Sequence, residues 1–65
     1  MDRNQIAYFL DIAASGNMSH SAQRLCIAQP SLSRAIKQLE RELGARLFKR
    51  TAKGMELTVQ GKMLQ

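Results

Sequence analysis

Several stabilising features are scarce or missing in this sequence. There is one cysteine, Cys26, there is no tryptophan, and no group of Cys and His residues has the spacing of a metal site. An internal disulfide is excluded, and no metal and no cofactor are expected. A chain of 65 residues forms one small domain that buries about 60% of its unfolded surface. Its stability must therefore come from apolar packing or association.

Long apolar runs and catalytic groupings are also missing. No window approaches the roughly 18 apolar residues of a membrane-spanning helix, and the first residues do not resemble a secretory leader. A lone cysteine suits a reducing compartment, so we expect a cytoplasmic protein. There is no paired acid and base, no activated nucleophile and no glycine-rich phosphate loop. We therefore do not expect an enzyme.

Acidic residues are scarce in the second two thirds of the chain. The net charge is +5 and the isoelectric point is about 10.2. From Arg24 onward there are nine Lys and Arg residues against three Glu, whereas residues 1–23 carry one Arg and two Asp. A basic surface of this kind attracts nucleic acid or an anionic membrane. Membrane binding is disfavoured, because the most amphipathic segment carries Glu40 and Glu42 and no aromatic residue.

The first third of the sequence predicts two helices. Asp2 opens a capping-box pattern ahead of a helix from about Arg3 to Ser15, which Gly16 is suited to end. Asn17 is suited to begin a second, short helix, Met18 to Leu25. The apolar residues that we expect to face the core are Ile6, Phe9, Leu10 and Ala13 in the first helix and Met18, Ala22 and Leu25 in the second.

The segment 28–43 predicts a longer third helix, around which the rest of the chain is organised. A turn of three residues, Cys26 to Ala28, precedes its first turn, so the second and third helices form a helix-turn-helix. The core-facing stripe of the third helix is Leu32, Ile36, Leu39 and Leu43. Its remaining surface carries amide, hydroxyl and cationic groups, which bond phosphates and base edges. Similar helix pairs occur in bundles that do not bind DNA, so that alternative stays open.

Two short strand-like segments, 47–51 and 55–58, follow the third helix. Gly54 lies in the short segment between them and is suited to a turn. They predict a β-hairpin, 47–58, which forms a wing with Lys53 at its tip. A second basic surface beside the helix-turn-helix favours DNA binding over a plain helical bundle.

The last residues, 59–65, predict the first part of another helix, with Thr58 as its cap and no closing signal. We expect a longer linker helix to begin here. The predicted fold class is mostly α with a small β-hairpin. It is a winged helix-turn-helix with three helices, a two-stranded wing and the start of a linker helix.

This order of elements resembles the N-terminal DNA-binding domain of LysR-type transcriptional regulators, over all 65 residues. The matching residues are Ala28-Gln29-Pro30-Ser31-Leu32-Ser33-Arg34-Ala35-Ile36, Leu39-Glu40, Leu43-Gly44, Leu47-Phe48, Arg50, Leu57-Thr58 and Gly61, with Phe9, Gly16, Ser19 and Ala22 upstream. Met18 and Ser21 stand where the family more often has phenylalanine and alanine. Ala28 stands where it usually has serine or threonine.

The resemblance implies a bacterial regulator that binds a partly palindromic double-stranded DNA operator as a homodimer or a pair of dimers. It implies that helix 28–43 enters the major groove and that wing 47–58 lies near the adjacent minor groove. The chain then divides into a DNA-binding domain, 1–58, and the start of the linker or dimerisation helix, 59–65. The family's effector-binding domain is absent from these residues, and a small-molecule effector is expected to act only through that domain.

The start of the third helix is the part that we expect to read DNA sequence. The expected base-reading residues are Gln29, Pro30, Ser33 and Arg34. Gln29 can pair with an adenine edge, Pro30 can touch a thymine methyl group, and Arg34 can bond guanine or phosphate. The expected contacts to the DNA backbone are His20, Ser31, Lys37, Arg50 and Lys53. For each of these residues the alternative is a solvated side chain or a plain helix start.

Three residues carry further expectations. Arg50 either contacts phosphate or forms an internal ion pair with Glu40 that fastens the wing to the third helix, and we favour the Glu40–Arg50 pair. Ala28 offers no side-chain oxygen to the first N–H groups of the third helix, which should weaken its start by about 1 kcal/mol. Cys26 is expected to be a small packed residue and not a redox sensor.

The leading hypothesis is sequence-specific binding of double-stranded DNA for transcriptional regulation. The alternative from another class is a winged-helix module for protein interaction or dimerisation, whose basic face is only solvated. RNA binding is a lesser alternative. It is disfavoured because the chain has three aromatic residues, Tyr8, Phe9 and Phe48, and two of them are expected in the core.

Overall fold

The computed structural model describes residues 1–65 as four helices and one antiparallel hairpin. The elements are α1 (Arg3–Ser15), α2 (Met18–Leu25), α3 (Gln29–Leu43), β1 (Phe48–Thr51), β2 (Gly54–Leu57) and α4 (Val59–Leu64). The first three helices pack against one another, and β1 and β2 form a two-stranded sheet beside them. No helix is long and apolar enough to cross a lipid bilayer. The predicted winged helix-turn-helix fold is confirmed.

Local side-chain chemistry sets the ends of α1 and α2 where the sequence predicts them. Asp2 Oδ1 accepts a hydrogen bond from Gln5 N at 2.8 Å, and Gln5 Oε1 accepts one from Asp2 N at 2.9 Å. Gly16 ends α1 with a φ of 67°, in the left-handed region that glycine adopts without steric cost. Asn17 Oδ1 accepts from His20 N at 3.0 Å and so starts α2. The predicted capping box and both predicted caps are confirmed.

The core lies between the three helices and the base of the wing. It consists of eight buried apolar residues: Phe9, Ile12, Ala22, Leu32, Ile36, Leu39, Leu47 and Phe48. Two of them, Phe9 and Phe48, place their ring centroids 5.4 Å apart at a tilt of 50°. The wing therefore contributes to the same core as α1 and is not a separate appendage.

Two residues predicted to face the core are exposed. Leu10 is 45% exposed because it lies about 100° around α1 from buried Phe9. The face that α1 buries includes Ile12, which the predicted stripe omits. Leu43 is 40% exposed on the last turn of α3, where it lines an open apolar groove together with Met63 of α4. The predictions for Leu10 and Leu43 are therefore wrong.

The wing is fixed to the helices through the start of β2. Met55 N donates a hydrogen bond to the Gly16 carbonyl oxygen at 3.0 Å. At Gly54, where φ is 120°, a Cβ atom would lie 2.5 Å from the same Gly16 oxygen. The hairpin backbone thus packs against the α1–α2 turn in space that any side chain would fill. This contact places the tip of the wing near the first turn of α2.

The start of α4 is held against the base of the wing. Thr58 Oγ1 accepts a hydrogen bond from Gly61 N at 3.1 Å, and Thr58 N donates to Leu47 O at 2.9 Å. Gly61 is buried against the Leu47 backbone, with no room for a Cβ atom. The predicted Thr58 cap is confirmed, and it couples the direction of α4 to the wing.

Candidate nucleic-acid interface

The start of α3 presents the residues that were expected to read bases. Gln29, Pro30 and Arg34 are exposed, and Ser33 is half-buried. Ala28 precedes the helix with an extended backbone, φ −68° and ψ 140°, and makes no side-chain capping bond. The uncapped start predicted at Ala28 is confirmed. The helix therefore exposes polar side chains at an end that no side chain caps.

The side chain of Gln29 is held by a residue that the sequence pattern does not single out. The Ser19 hydroxyl, in the first turn of α2, donates a hydrogen bond to Gln29 Oε1 at 2.8 Å. Both residues are exposed. The two residues are ten positions apart, so no rule of helical spacing pairs them. The packing of α2 on α3 in the helix-turn-helix brings the first turns of the two helices together.

A groove of about 140 Å³ separates α3 from the wing. Ser33 and Lys37 line it on α3, and Arg46 and Arg50 line it on the wing side. Three of these four residues are cations, and all three are exposed. Two elements that are distant in sequence therefore present positive charge to the same groove.

Glu40 joins the wing to α3, but not through the ion pair with Arg50, so that prediction is wrong. Glu40 Oε2 accepts hydrogen bonds from the backbone N–H groups of Leu47, at 2.8 Å, and Phe48, at 3.3 Å. Both of these residues are buried, and their N–H groups need an acceptor that solvent does not supply. The carboxylate satisfies both. The two ion pairs of the chain involve other residues, which leaves the Arg50 guanidinium without an acidic partner.

A cleft of about 290 Å³ lies between the wing and the first turns of α2 and α3. Ser19 and Gln29 line it on the helical side, and Arg50, Thr51 and Lys53 line it on the wing. The structure therefore brings an expected base-reading residue and two expected backbone contacts to one concave surface.

The remaining predicted residues are more dispersed. Ser31, Arg34 and Lys37 line a wide depression of about 610 Å³ between α3 and α1. Pro30 is exposed on α3 and His20 on the first turn of α2, and neither lines a concave surface. The α3 residues thus occupy one continuous exposed side of the helix, with the wing on one flank and α1 on the other.

The cations of α3, of the wing and of the loop that joins them are exposed and form no ion pairs. They are Arg34, Lys37, Arg41, Arg46, Lys49, Arg50 and Lys53. Arg24 pairs with Asp11, with Nη2 and Oδ2 3.2 Å apart, and the Met1 amine pairs with Glu42. The Met1 ammonium and the Gln38 amide, which both donate hydrogen bonds to the carboxylate, hold the pKa of Glu42 below its ordinary value. Glu40 is the one acidic residue that lines the groove between α3 and the wing, and it forms no ion pair with the cations there.

Two further expectations concern Cys26 and the aromatic residues. Cys26 is exposed and ends α2 with a φ of 58°, so the prediction of a packed residue is wrong. The thiol lies outside because the chain must turn sharply there to begin α3.

Phe9 and Phe48 are buried and Tyr8 is half-buried, so the chain offers no exposed aromatic platform on which RNA bases can stack.

Comparison with known proteins identifies the family of this chain. The sequence model of the bacterial regulatory helix-turn-helix proteins of the lysR family matches residues 3–62. The regulator TfdT of Cupriavidus pinatubonensis is 49% identical over 63 residues, which are 97% of this chain and 28% of TfdT. The regulator BsdA of Bacillus subtilis is 48% identical over 62 residues, 94% of this chain and 21% of BsdA. The chain thus spans between a fifth and a third of the length of these curated relatives.

Solved structures agree with this assignment. The CbnR DNA-binding domain in complex with DNA superposes with a TM-score of 0.92 at 39% identity, covering 98% of this chain and 74% of that one. The BenM DNA-binding domain in complex with catB site 1 DNA gives a TM-score of 0.93 at 36% identity, covering 98% of this chain and 72% of that one. The resemblance predicted from the sequence is confirmed, and the chain belongs to the LysR family of bacterial regulatory helix-turn-helix proteins.

Proposed function

We propose that this chain binds double-stranded DNA sequence-specifically and serves as the DNA-binding part of a transcriptional regulator. In this proposal α3 lies in the major groove and the wing lies near the adjacent minor groove. The observation that carries it is the single exposed surface on which the polar start of α3 and the unpaired cations of α3 and the wing lie together. The DNA complexes of the CbnR and BenM domains, which share this fold, support the same conclusion.

The proposed roles follow from position on α3 and on the wing. The first turns of a recognition helix reach base edges, and we assign that role to Gln29, Pro30, Ser33 and Arg34. Contacts to phosphates are assigned to His20, Ser31, Lys37, Arg50 and Lys53. Arg50 belongs to this second group because its guanidinium forms no ion pair and lines both the groove and the cleft.

The larger assembly is part of the same proposal. A partly palindromic operator matches a homodimer, or a pair of dimers, of the full-length regulator. We assign 1–58 to DNA binding and 59–65 to the start of the dimerisation helix, on which Val59 and Met63 are 71% and 82% exposed. Any small-molecule effector acts through a domain outside these residues. Bacterial transcription takes place in the cytoplasm, so a cytoplasmic location is part of this proposal.

Competition binding tests this function directly. The chain is mixed at low salt with a labelled duplex selected from a random library, and unlabelled selected or random duplex is added. The selected duplex should compete at least tenfold better, since each well-made base contact is worth about 1–3 kcal/mol of discrimination. Arg34→Ala should reduce this preference. Lys62→Gln, which removes one cation outside the proposed surface, should leave it unchanged.

Two outcomes contradict the proposal. If selected and random duplexes compete equally, the binding is not sequence-specific. If no duplex binds at low salt, the proposal is wrong and the alternative of a protein-interaction module with a solvated basic face stands.

A further inference from the structure

The hydrogen bond between Ser19 and Gln29 gives a role to a residue outside the assigned contacts. We infer that Ser19 sets the base preference of Gln29 by holding its amide so that the NH₂ group faces the DNA. The inference rests on the proposed function, because it concerns how the same surface distinguishes bases. Ser19 then acts as a positioning residue for recognition.

The geometry of the bond determines which part of the amide is free. A glutamine amide has one acceptor, the carbonyl oxygen, and one donor group, the NH₂. Ser19 Oγ lies 2.8 Å from Gln29 Oε1, so the carbonyl is turned toward α2. The amide is planar, and its NH₂ group therefore points away from α2. No other side-chain hydrogen bond holds Gln29, and its exposed side chain would otherwise rotate freely.

The same bond limits the contacts that the Ser19 hydroxyl can make with DNA. A serine hydroxyl carries one proton, and here that proton is donated to Gln29. Phosphate oxygens are acceptors and need a donor. While the bond to Gln29 is intact, the Ser19 hydroxyl cannot also donate to a phosphate. Its contribution to binding is therefore made through Gln29.

An amide that turns its NH₂ group toward the DNA has a defined base preference. The bidentate contact of glutamine with adenine needs the carbonyl to accept from N6 while the NH₂ donates to N7. Ser19 uses one of the two lone pairs of the carbonyl and turns it toward α2, so this pair requires the amide to leave Ser19 and is disfavoured. Guanine, with acceptors at N7 and O6, and thymine, with O4, match a donor. Adenine and cytosine present amino groups that oppose it. Gln29 is therefore expected to favour guanine or thymine, and not the adenine edge that its amide alone suggests.

Selection of duplexes from a randomised library tests this preference. The chain and its Gln29→Ala variant are compared at low salt, and the position where only the variant loses its preference is the base that Gln29 reads. The unmodified chain should favour guanine or thymine over adenine there by about fivefold or more. Ser19→Ala frees the carbonyl, so adenine should become at least as good as guanine. Ser19→Thr keeps a hydroxyl and should retain the original preference.

Ser31→Ala serves as the matched control. It removes another exposed hydroxyl, from the first turn of α3, and should lower affinity for all sequences alike without changing the preferred base. Circular dichroism melts establish that each variant is folded, which exposed serine positions should permit.

Three results would overturn the inference. Ser19→Ala leaves the preference at the Gln29 position unchanged, or it lowers affinity uniformly as Ser31→Ala does, or Gln29→Ala alters no position. All three leave the proposed function intact if the chain still prefers selected over random DNA. A chain that binds no duplex at low salt overturns the proposed function and the inference together.

Discussion

At the scale of single residues, Ala28 is the weak point in the start of α3. It occupies the cap position of α3 with a suitable extended backbone but offers no side-chain acceptor to the first N–H groups. The other three helices each begin with a side-chain cap, from Asp2, Asn17 and Thr58. The part of the chain that we propose to touch DNA bases therefore has the least locally stabilised helix start.

Replacing Ala28 by serine should strengthen this start. Ala28→Ser supplies the missing acceptor and should raise the free energy of unfolding by about 1 kcal/mol. In a domain of this size that corresponds to an increase in Tm of about 4–8 °C. Thermal melts followed by circular dichroism measure the shift. The matched control is Ala7→Ser, on the exposed side of α1, which should lower Tm slightly because serine is a weaker helix former than alanine. An unchanged or lower Tm for Ala28→Ser would contradict the cap assignment.

Individual residues also show where prediction from sequence ends. The Ala28 cap position follows from local pattern and agrees with the structure. The position of Ser21 could not be predicted in this way. Ser21 is fully buried, although serine is usually a surface residue. Its hydroxyl lies 2.7 Å from that of Ser15, across the turn between α1 and α2. The partner of a buried polar group depends on how two helices cross, and no spacing within one helix reveals it.

At the scale of elements, the joint between α3 and the wing is made by one carboxylate. Glu40→Ala leaves the N–H groups of Leu47 and Phe48 without an acceptor and should cost about 1–3 kcal/mol. Arg50→Ala should change stability by no more than about 0.5 kcal/mol, since Arg50 forms no ion pair. Arg50→Ala should nevertheless weaken DNA binding. Urea unfolding measures the loss in free energy of unfolding for each variant. Equal losses would contradict the role given to Glu40 and would support the Glu40–Arg50 ion pair instead.

The contact between the wing and the α1–α2 turn requires glycine at position 54. Gly54→Ala places a Cβ atom against the Gly16 oxygen, at a φ of 120° that other residues rarely adopt. Gly44 is the matched control, because it has a φ of 66° and open space around it. Gly44→Ala should cost about 1–2 kcal/mol. Gly54→Ala should cost about 1–3 kcal/mol more, because the crowded backbones must move apart. Equal losses in urea unfolding would mean that the hairpin does not depend on this close packing.

The helices and strands were largely predictable from the sequence, whereas the tertiary contacts between them were not. The bounds of α1 and α2 follow from caps and from glycine, which act within a few residues. The predicted third helix and wing agree within one or two residues with α3, β1 and β2. The partner of Glu40 and the contact of Gly54 with Gly16 depend on tertiary packing. The predicted Glu40–Arg50 pair was wrong because charge complementarity is visible in a sequence and an unsatisfied backbone N–H group is not.

At the scale of the whole molecule, the basic residues of the second two thirds of the sequence are exposed together on α3 and the wing. The acidic residues of the first third neutralise little of the charge on α3 and the wing, since Asp11 pairs with Arg24 on α2. Glu40 and Glu56 accept hydrogen bonds within the fold. The cations from Arg34 to Lys53 remain exposed and unpaired. The sequence predicted this positive field, but only the structure shows that α3 and the wing share it.

The dependence of DNA affinity on salt shows whether α3 and the wing form one DNA-binding surface. Each phosphate neutralised by the chain should contribute about −0.9 to the slope of log K against log salt, so a surface that engages about five phosphates gives a slope near −4.5. Lys53→Ala should reduce the magnitude of the slope by about 0.9. Lys62→Gln, outside the surface, should leave it unchanged. A steep slope that falls with Lys53→Ala alone is the predicted result. A slope near zero, or an equal effect of both substitutions, would contradict the claim that α3 and the wing form the DNA-binding surface.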